Sequence, residues 1–242
     1  MLAGGRYTPD GVMDFGAVPE ALDAVGEFAQ EILALAELRR KSPRDDLVSI
    51  WANVECEGEK LSDADIIAEA LLVLDGGAET TRAVIATTVM NLFEHPEERA
   101  KLAADPTPAR MTVAVEEFIR WVTPILNMRR TAMQTHELHG QTIREGDEIL
   151  LMYSSANRDP AQFDEPDRYD VSRKRNSHLA FGVGTHFCLG ASVARMELRL
   201  MFEELMKRIP EMHLVADRLP KIVPSCFTRA PDAVHVEFEV SR

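Results

Sequence analysis

Residues Phe181-Gly182-Val183-Gly184-Thr185-His186-Phe187-Cys188-Leu189-Gly190 place one cysteine at the end of a glycine-punctuated loop and at the predicted start of a helix. Glycine lets a backbone pass close to a flat ligand, because it carries no Cβ. The amides in the first turn of a helix favour a negative thiolate beside them. The stretch therefore predicts a cysteine poised as the ligand of a flat metal macrocycle.

A second unusual stretch lies inside a long apolar helix predicted from the N-cap residue Ser62 to His95-Pro96, with Asp65 in the capping-box position. It contains the pair Gly76-Gly77, and each glycine disfavours a helix interior by roughly 1 kcal/mol. A flat ligand or a bent groove would compensate for this. Tight helix packing at the glycines is the alternative explanation.

A third motif, E-x-x-R, is present as Glu117-Phe118-Ile119-Arg120 on the last helix predicted before a strand region. By itself it is weak evidence, because an i,i+3 ion pair on a solvated helix is the default explanation of this spacing. The same spacing occurs elsewhere in the chain, at Glu37–Arg40, Glu79–Arg82 and Glu165–Arg168.

The remaining periodicity predicts a mainly helical chain with small β-sheets. We expect further helices over 18–41, 45–54, 96–104, 109–121 and 188–209, a polar turn over 55–60, and a loop over 157–180. Short strands are expected over 125–133, 137–143, 148–152 and 234–240.

These motifs, in this order, resemble those of the cytochrome P-450 monooxygenases. The resemblance runs from about Val18 to Val240 and corresponds to the C-terminal half of a full-length member. It implies the C-terminal part of the P-450 fold, and residues 1–242 are expected to be one truncated P-450 domain that lacks the N-terminal helices. The chain looks most similar to soluble bacterial members, particularly actinobacterial ones acting on sterols and lipids.

The resemblance implies a haem b whose iron is bound by the Cys188 thiolate. The other cofactor-binding residues that it implies are Phe181 and Gly190 in the loop, together with Gly76 and Gly77. By the same resemblance Thr80 hydrogen-bonds the oxygen bound at the iron, and Glu79 relays protons from solvent. The motif pair Glu117 and Arg120 is implied to form a structural network that Arg168 completes.

The haem propionates need cations where they are buried. His186 and Arg130 occupy positions that bind propionates in similar proteins, and Arg129 is an alternative to Arg130 because the alignment register can shift by one residue. For His186, the rival reading is a zinc site shared with Cys188. The sequence has no second Cys or His cluster to complete such a site.

Composition limits the partners. The net charge of −13 argues against nucleic acid, since phosphate binding needs a basic surface. Three widely separated cysteines indicate a reducing, cytoplasmic compartment, and no apolar run is long enough for a membrane span. Arginines and lysines gather around the cysteine loop, either as a patch that steers an acidic donor or as an ordinary solvated surface.

Two functions therefore remain open. The first is a haem-thiolate monooxygenase that hydroxylates an apolar lipid, steroid or terpenoid-like substrate with O2 and electrons from a ferredoxin. Candidate pocket-wall residues are Leu72, Val73, Ile125, Leu126 and Phe227. The second is a truncated, non-catalytic P-450 fragment without stable haem, which self-associates through exposed apolar surface.

Overall fold

The computed structural model describes residues 6–7, 13–14, 18–56 and 58–239. It is mainly helical with small two-stranded sheets, as predicted, and it divides into two compact units, with the boundary in the chain between Ala78 and Glu79. The first unit contains β1 (Arg6–Tyr7), β2 (Met13–Asp14), α1 (Val18–Lys41), α2 (Leu47–Asn53), β3 (Glu55–Cys56), β4 (Glu59–Lys60) and α3 (Asp63–Ala78).

The second unit contains the remaining elements. They are α4 (Thr80–Glu94), α5 (Pro96–Ala104), α6 (Pro108–Val122), β5 (Asn127–Thr131), β6 (His136–Leu138), β7 (Gln141–Ile143), β8 (Glu148–Met152), α7 (Tyr153–Ala156), a 3-10 turn (Gly184–His186), α8 (Ala191–Arg208), β9 (His213–Leu214) and β10 (Val236–Glu237).

Local capping explains where two helices of the first unit begin. The Ser62 backbone N–H donates to the Asp65 carboxylate (2.9 Å), and the Asp65 N–H donates to the Ser62 hydroxyl (3.2 Å). This reciprocal pair confirms the predicted capping box. Asp46 caps α2 by accepting from the Ser49 N–H at 2.7 Å.

The helix predicted from Ser62 to His95 is two helices, so that prediction is wrong in its continuity. The first, α3, ends at Ala78 directly after Gly76-Gly77, and α4 begins at Thr80. Glycine loses more conformational entropy than other residues when a helix forms, and the β-branched Thr80 and Thr81 that follow have a lowered helix propensity. The interruption therefore falls where the sequence supports a helix least.

Each unit has its own core. In the first, Ala36, Ala52 and Ile66 are buried, and Trp51 is among the side chains that pack against them. In the second, α4, α5, α6 and α8 surround a larger core in which the Phe118 and Phe202 rings lie 4.8 Å apart. Trp121 packs at its edge, beside His95 and under the Arg158 guanidinium.

The strand region pairs β5 with β8 in an antiparallel register, from Asn127 opposite Met152 to Thr131 opposite Glu148. The single strand predicted over 137–143 is instead the hairpin β6–β7. Its turn is His139-Gly140, and both residues have positive φ (48° and 75°), as a tight hairpin turn requires.

Two other predicted elements also differ. The polar turn over 55–60 is a short hairpin of β3 with β4. The C-terminal strand is limited to β10, which pairs with β9, and Val240 lies outside the described residues.

The E-x-x-R pair is fully buried in the second unit. Arg120 donates to Glu117 through two nitrogens, at 2.7 and 2.8 Å, and neither side chain has any exposed surface. Arg120 also donates to the backbone oxygens of Asn157 (2.7 Å) and Pro166 (2.9 Å). The pair therefore connects α6 to the loop that follows α7. It is not the solvent-exposed ion pair that is the default explanation of this spacing.

Arg173, and not Arg168, supplies the second guanidinium of this network, so the predicted third partner is wrong. Arg173 donates to the Glu117 carboxylate at 3.2 Å and its side chain is only 10% exposed. The Arg168 side chain is 53% exposed and pairs with Glu165. What Arg168 contributes is its backbone oxygen, which accepts from both Arg120 and Arg173.

We expect Arg173→Ala to lower the free energy of unfolding by about 2 to 4 kcal/mol, because the buried Glu117 would lose a charged donor. Arg168→Ala is the matched control, and it should leave the unfolding midpoint unchanged because its guanidinium faces solvent. Urea unfolding followed by circular dichroism measures both. A loss for Arg168→Ala that equals or exceeds the loss for Arg173→Ala would contradict this assignment.

Candidate functional site

The cysteine loop is closed by backbone hydrogen bonds. The Gly182 N–H donates to the Leu179 oxygen at 2.9 Å, and the Cys188 N–H donates to the Phe181 oxygen at 2.9 Å. Gly182 and Gly184 have φ of 69° and 74°, a conformation that other residues rarely adopt. Glycine is therefore favoured at both positions because each has a left-handed backbone conformation. The loop turns back at these residues, so that Cys188 lies beside Phe181 at its base.

Cys188 precedes its helix by three residues, whereas the sequence placed it at the helix start. The helix α8 begins at Ala191, with Gly190 at the N-cap, and the Ala194 N–H donates to the Gly190 oxygen at 2.9 Å. Cys188 is an exposed, free cysteine. Its backbone oxygen accepts from the Ala191 N–H at 3.3 Å, which joins the loop to the first turn of α8.

Apolar side chains around this thiol face outward. Val183 is 71% exposed, Leu189 is 94% exposed, and Leu179 and Phe187 are also exposed. Several exposed apolar side chains this close to the thiol in the sequence favour a site that binds an apolar ligand. A flat apolar ligand that accepts a sulfur donor would cover these side chains, so both the donor and its surroundings fit a haem.

The candidate cations lie on β5 and in the loop. On β5, Arg129 and Arg130 point to opposite faces, as neighbours on a strand do. Arg129 is paired with Glu148 at 2.8 Å, whereas Arg130 bonds only the Arg129 backbone oxygen and has no ion pair among the described residues. The Arg130 guanidinium is therefore available to pair with an anionic ligand. His186 is exposed in the 3-10 turn.

Glu79 and Thr80 are both half-buried at the beginning of α4. The Glu79 carboxylate pairs with Arg82 at 2.6 Å, one turn further along, and the Glu79 backbone oxygen accepts from the Ala83 N–H. The Glu79 side chain is therefore oriented by its own helix, and part of it remains in contact with solvent.

Gly76 and Gly77 lie in the last turn of α3, which belongs to the first unit. Apart from its chain neighbours and the nearby backbone of its own helix, a Cβ built on either one meets no heavy atom within 4 Å among the described residues. Tight packing within this part of the chain therefore does not account for the pair. Leu72 and Val73 on the same helix are exposed.

The other pocket-wall candidates come together in the second unit. Leu126 donates its backbone N–H to the Phe227 oxygen at 2.9 Å, and Ile125 forms an isolated β-bridge with Thr228. Phe227 is 40% exposed. Backbone pairing thus brings the segment of Ile125 and Leu126 beside the segment of Phe227, a contact that the sequence alone did not predict.

Sequence reasoning missed the polar side chains that fasten the loop. Asn157 is fully buried and accepts from the Leu179 N–H at 2.7 Å, while its amide donates to the Thr123 hydroxyl. Glu116 accepts from His178 and from Arg195. The nearest signal in the sequence is the doublet Glu116-Glu117, of which only the second residue fits the E-x-x-R pattern.

Neither a membrane-spanning helix nor a cluster of metal-binding side chains is found among the described residues. No helix in these ranges is long and apolar enough to cross a bilayer. Nor do three or more His, Cys, Asp or Glu side chains cluster there as a metal site would require.

The comparisons with known proteins all point to the same family. Residues 110–214 match the family model described as Cytochrome P450. The chain is 38% identical over 229 residues to a steroid C26-monooxygenase of Mycolicibacterium smegmatis, covering 95% of this chain and 57% of that protein. It is 41% identical over 205 residues to a methyl-branched lipid omega-hydroxylase of Mycobacterium bovis, covering 84% of this chain and 47% of that protein.

Among solved structures, the chain is similar to Mycobacterium marinum cytochrome P450 CYP268A2 in complex with pseudoionone. The TM-score is 0.86 at 38% identity, and the match covers 95% of this chain and 54% of that one. The chain thus spans about half the length of the proteins it matches. The P450 family implies a haem-thiolate cofactor, which suits the exposed thiol and its apolar surroundings. The helical fold, the cysteine loop and these relatives together show that the chain belongs to the cytochrome P450 family.

Proposed function

We propose that this chain is part of a haem-thiolate monooxygenase that hydroxylates an apolar steroid or lipid substrate. One observation carries the proposal: Cys188 stands exposed at the base of a closed loop, among apolar side chains that face outward. When bound, haem supplies the activation of O2 and the insertion of one oxygen atom into a C–H bond.

In this proposal the second unit supplies the groups that hold the cofactor. Cys188 Sγ is the iron ligand, and Phe181 and Gly190 shape the backbone on either side of it. Arg130 and His186 are proposed to bind the propionates, and Arg130 is preferred over Arg129 because Arg129 already pairs with Glu148.

Glu79 and Thr80 are proposed to handle protons. The partly exposed Glu79 carboxylate exchanges protons with water, and the adjacent Thr80 Oγ1 passes them toward the substrate O2. Glu79 is the N-cap residue of α4 and Thr80 is its first residue.

The substrate class is inferred from the relatives and from the apolar surface. Two relatives are named for steroid C26 and methyl-branched lipid omega hydroxylation. We propose that apolar residues of the paired segments at Ile125-Leu126 and Phe227 contact such a substrate. Electrons from a ferredoxin and a cytoplasmic location belong to the same proposal, since a free thiolate ligand suits a reducing compartment.

Cys188→Ala should abolish the red-shifted Soret band that reduced, CO-treated haem-thiolate protein displays, because the thiolate ligand is lost. Protein from the whole gene, loaded with haem, is used. Cys226→Ala is the matched control, since Cys226 is also an exposed free cysteine, and it should leave the band in place. An unchanged band in Cys188→Ala would disprove the ligand assignment.

Thr80→Ala should leave haem and substrate binding intact but divert electrons to hydrogen peroxide, because proton delivery through the hydroxyl is lost. The ratio of product to electrons consumed measures this uncoupling, with peroxide assayed in parallel. Thr80→Ser should restore coupling, and the neighbouring Thr81→Ala should not uncouple. Coupling that is equal in Thr80→Ala and the unsubstituted protein would remove Thr80 from the mechanism.

A second function is favoured by the amount of exposed apolar surface on this chain. Leu72, Leu74, Val183 and Leu189 are each more than half exposed. Burial of apolar surface contributes about 25 cal/mol per Å², so such side chains drive association. The alternative is therefore a non-catalytic fragment that binds no stable haem and self-associates.

For the isolated 242-residue chain we expect weak or no haem retention and self-association, with no measurable hydroxylation in the presence of ferredoxin and its reductase. Size-exclusion chromatography with light scattering measures the association, and haem absorbance per chain measures retention. A red, monodisperse monomer with one haem per chain and coupled turnover would overturn this expectation, and it would assign the enzymatic activity to the chain itself.

A further inference from the structure

The Glu116 carboxylate accepts hydrogen bonds from two side chains that come from different parts of the chain. Arg195 of α8 donates to it through two nitrogens, at 2.7 and 3.0 Å. His178, in the segment just before the cysteine loop, places Nε2 3.2 Å from the same carboxylate. One residue of α6 thus connects α8 to the beginning of the loop.

The proton of His178 can be assigned from its surroundings. The Ala180 N–H donates to His178 Nδ1 at 3.3 Å, so Nδ1 accepts and Nε2 carries the hydrogen that is donated to Glu116. The His178 side chain is only 2% exposed. A buried imidazole with both nitrogens occupied is held in one orientation.

Both partners of Glu116 contact Phe181. The Arg195 guanidinium lies 4.6 Å from the centre of the Phe181 ring, within cation–π range, and the His178 ring lies 5.7 Å from it. The backbone oxygen of Phe181 accepts the Cys188 N–H. A continuous set of contacts therefore leads from Glu116 through Arg195 and His178 to Phe181, and from there to Cys188.

Charge supports this arrangement. Burial alone would raise the pKa of Glu116, but hydrogen bonds from His178 and Arg195 outweigh it and lower the pKa to about 2. Donation of hydrogen bonds to the Glu116 carboxylate raises the pKa of Arg195, and the electrostatic interaction with Cys188 adds to that increase. Glu116 is thus fully ionised at neutral pH, and Arg195 is coupled electrostatically to both Glu116 and Cys188.

We propose that Glu116, His178 and Arg195 are positioning residues for the Cys188 thiolate. Glu116 anchors the two side chains that hold Phe181, and Phe181 holds the Cys188 backbone. Glu116 also neutralises Arg195, and this limits the positive charge that acts on the sulfur. The ligand role of Cys188 rests on the proposed function, whereas the contacts from Glu116 to Cys188 belong to this chain.

The simpler alternative is that Glu116 and Arg195 only fasten α6 to α8. The chain offers a matched control for that alternative. Arg199, one turn further along α8, pairs with Glu203 of the same helix at 2.7 Å. Neutralising Arg199 removes a charge and an ion pair from α8 without removing a contact to Phe181.

Hydrogen exchange followed by mass spectrometry tests the positioning in the 242-residue chain without haem. Glu116→Gln should make the Cys188 amide exchange about tenfold faster, because the loop opens more often when its anchor is weakened. Arg195→Gln should do the same, so the test survives if one variant fails to fold. Arg199→Gln should leave the exchange unchanged. Unchanged exchange in Glu116→Gln or Arg195→Gln would overturn the proposal.

The reduction potential of the haem-loaded protein separates positioning from a purely structural role. Glu116→Gln leaves Arg195 without its counter-charge and should raise the potential, because positive charge near the sulfur favours the reduced iron. Arg195→Gln should lower it. Shifts of the same sign in both variants would contradict the proposal and leave Glu116, His178 and Arg195 with a purely structural role. If the unsubstituted protein from the whole gene retains no haem, the proposed function fails, while the exchange result in the 242-residue chain still tests the loop.

Discussion

A carboxylate and a guanidinium with no exposed surface are stable only if every polar atom finds a partner, and the Glu117–Arg120 pair imposes this condition on the second unit. The partners are backbone oxygens of the segment after α7, the Asp170 N–H, and the side chains of Arg173 and Asn176. That segment has almost no regular secondary structure. The hydrogen bonds to Glu117 and Arg120, which lie on one turn of α6, therefore determine the path of this segment.

The neighbouring carboxylate extends the same principle to the cysteine loop. Consecutive residues on a helix point about 100° apart, so Glu116 and Glu117 serve different segments from one position on α6. Glu117 organises the chain before the loop, and Glu116 contacts the loop and α8. Asn157 joins the two sets, since it accepts from Leu179 and offers its backbone oxygen to Arg120.

Local chemistry was predictable from the sequence, and long-range partnership was not. The capping box at Ser62 depends on residues three apart, and the glycine-punctuated loop depends on ten consecutive residues. By contrast, Arg168 and Arg173 both lie near the expected position, and only the folded path decides which guanidinium turns inward. The break after Gly77 and the hairpin turn at His139-Gly140 were readable in principle, because glycine marks both places.

The distribution of aromatic residues has a further consequence. The chain has two tryptophans, and each unit holds one of them: Trp51 packs beside the small core of the first unit, and Trp121 lies at the edge of the larger core under Arg158. Indole fluorescence depends on the immediate surroundings of the ring. The chain therefore carries a separate fluorescent reporter in each unit. Tryptophan fluorescence can show whether the residues before and after Ala78 unfold in one transition or in two.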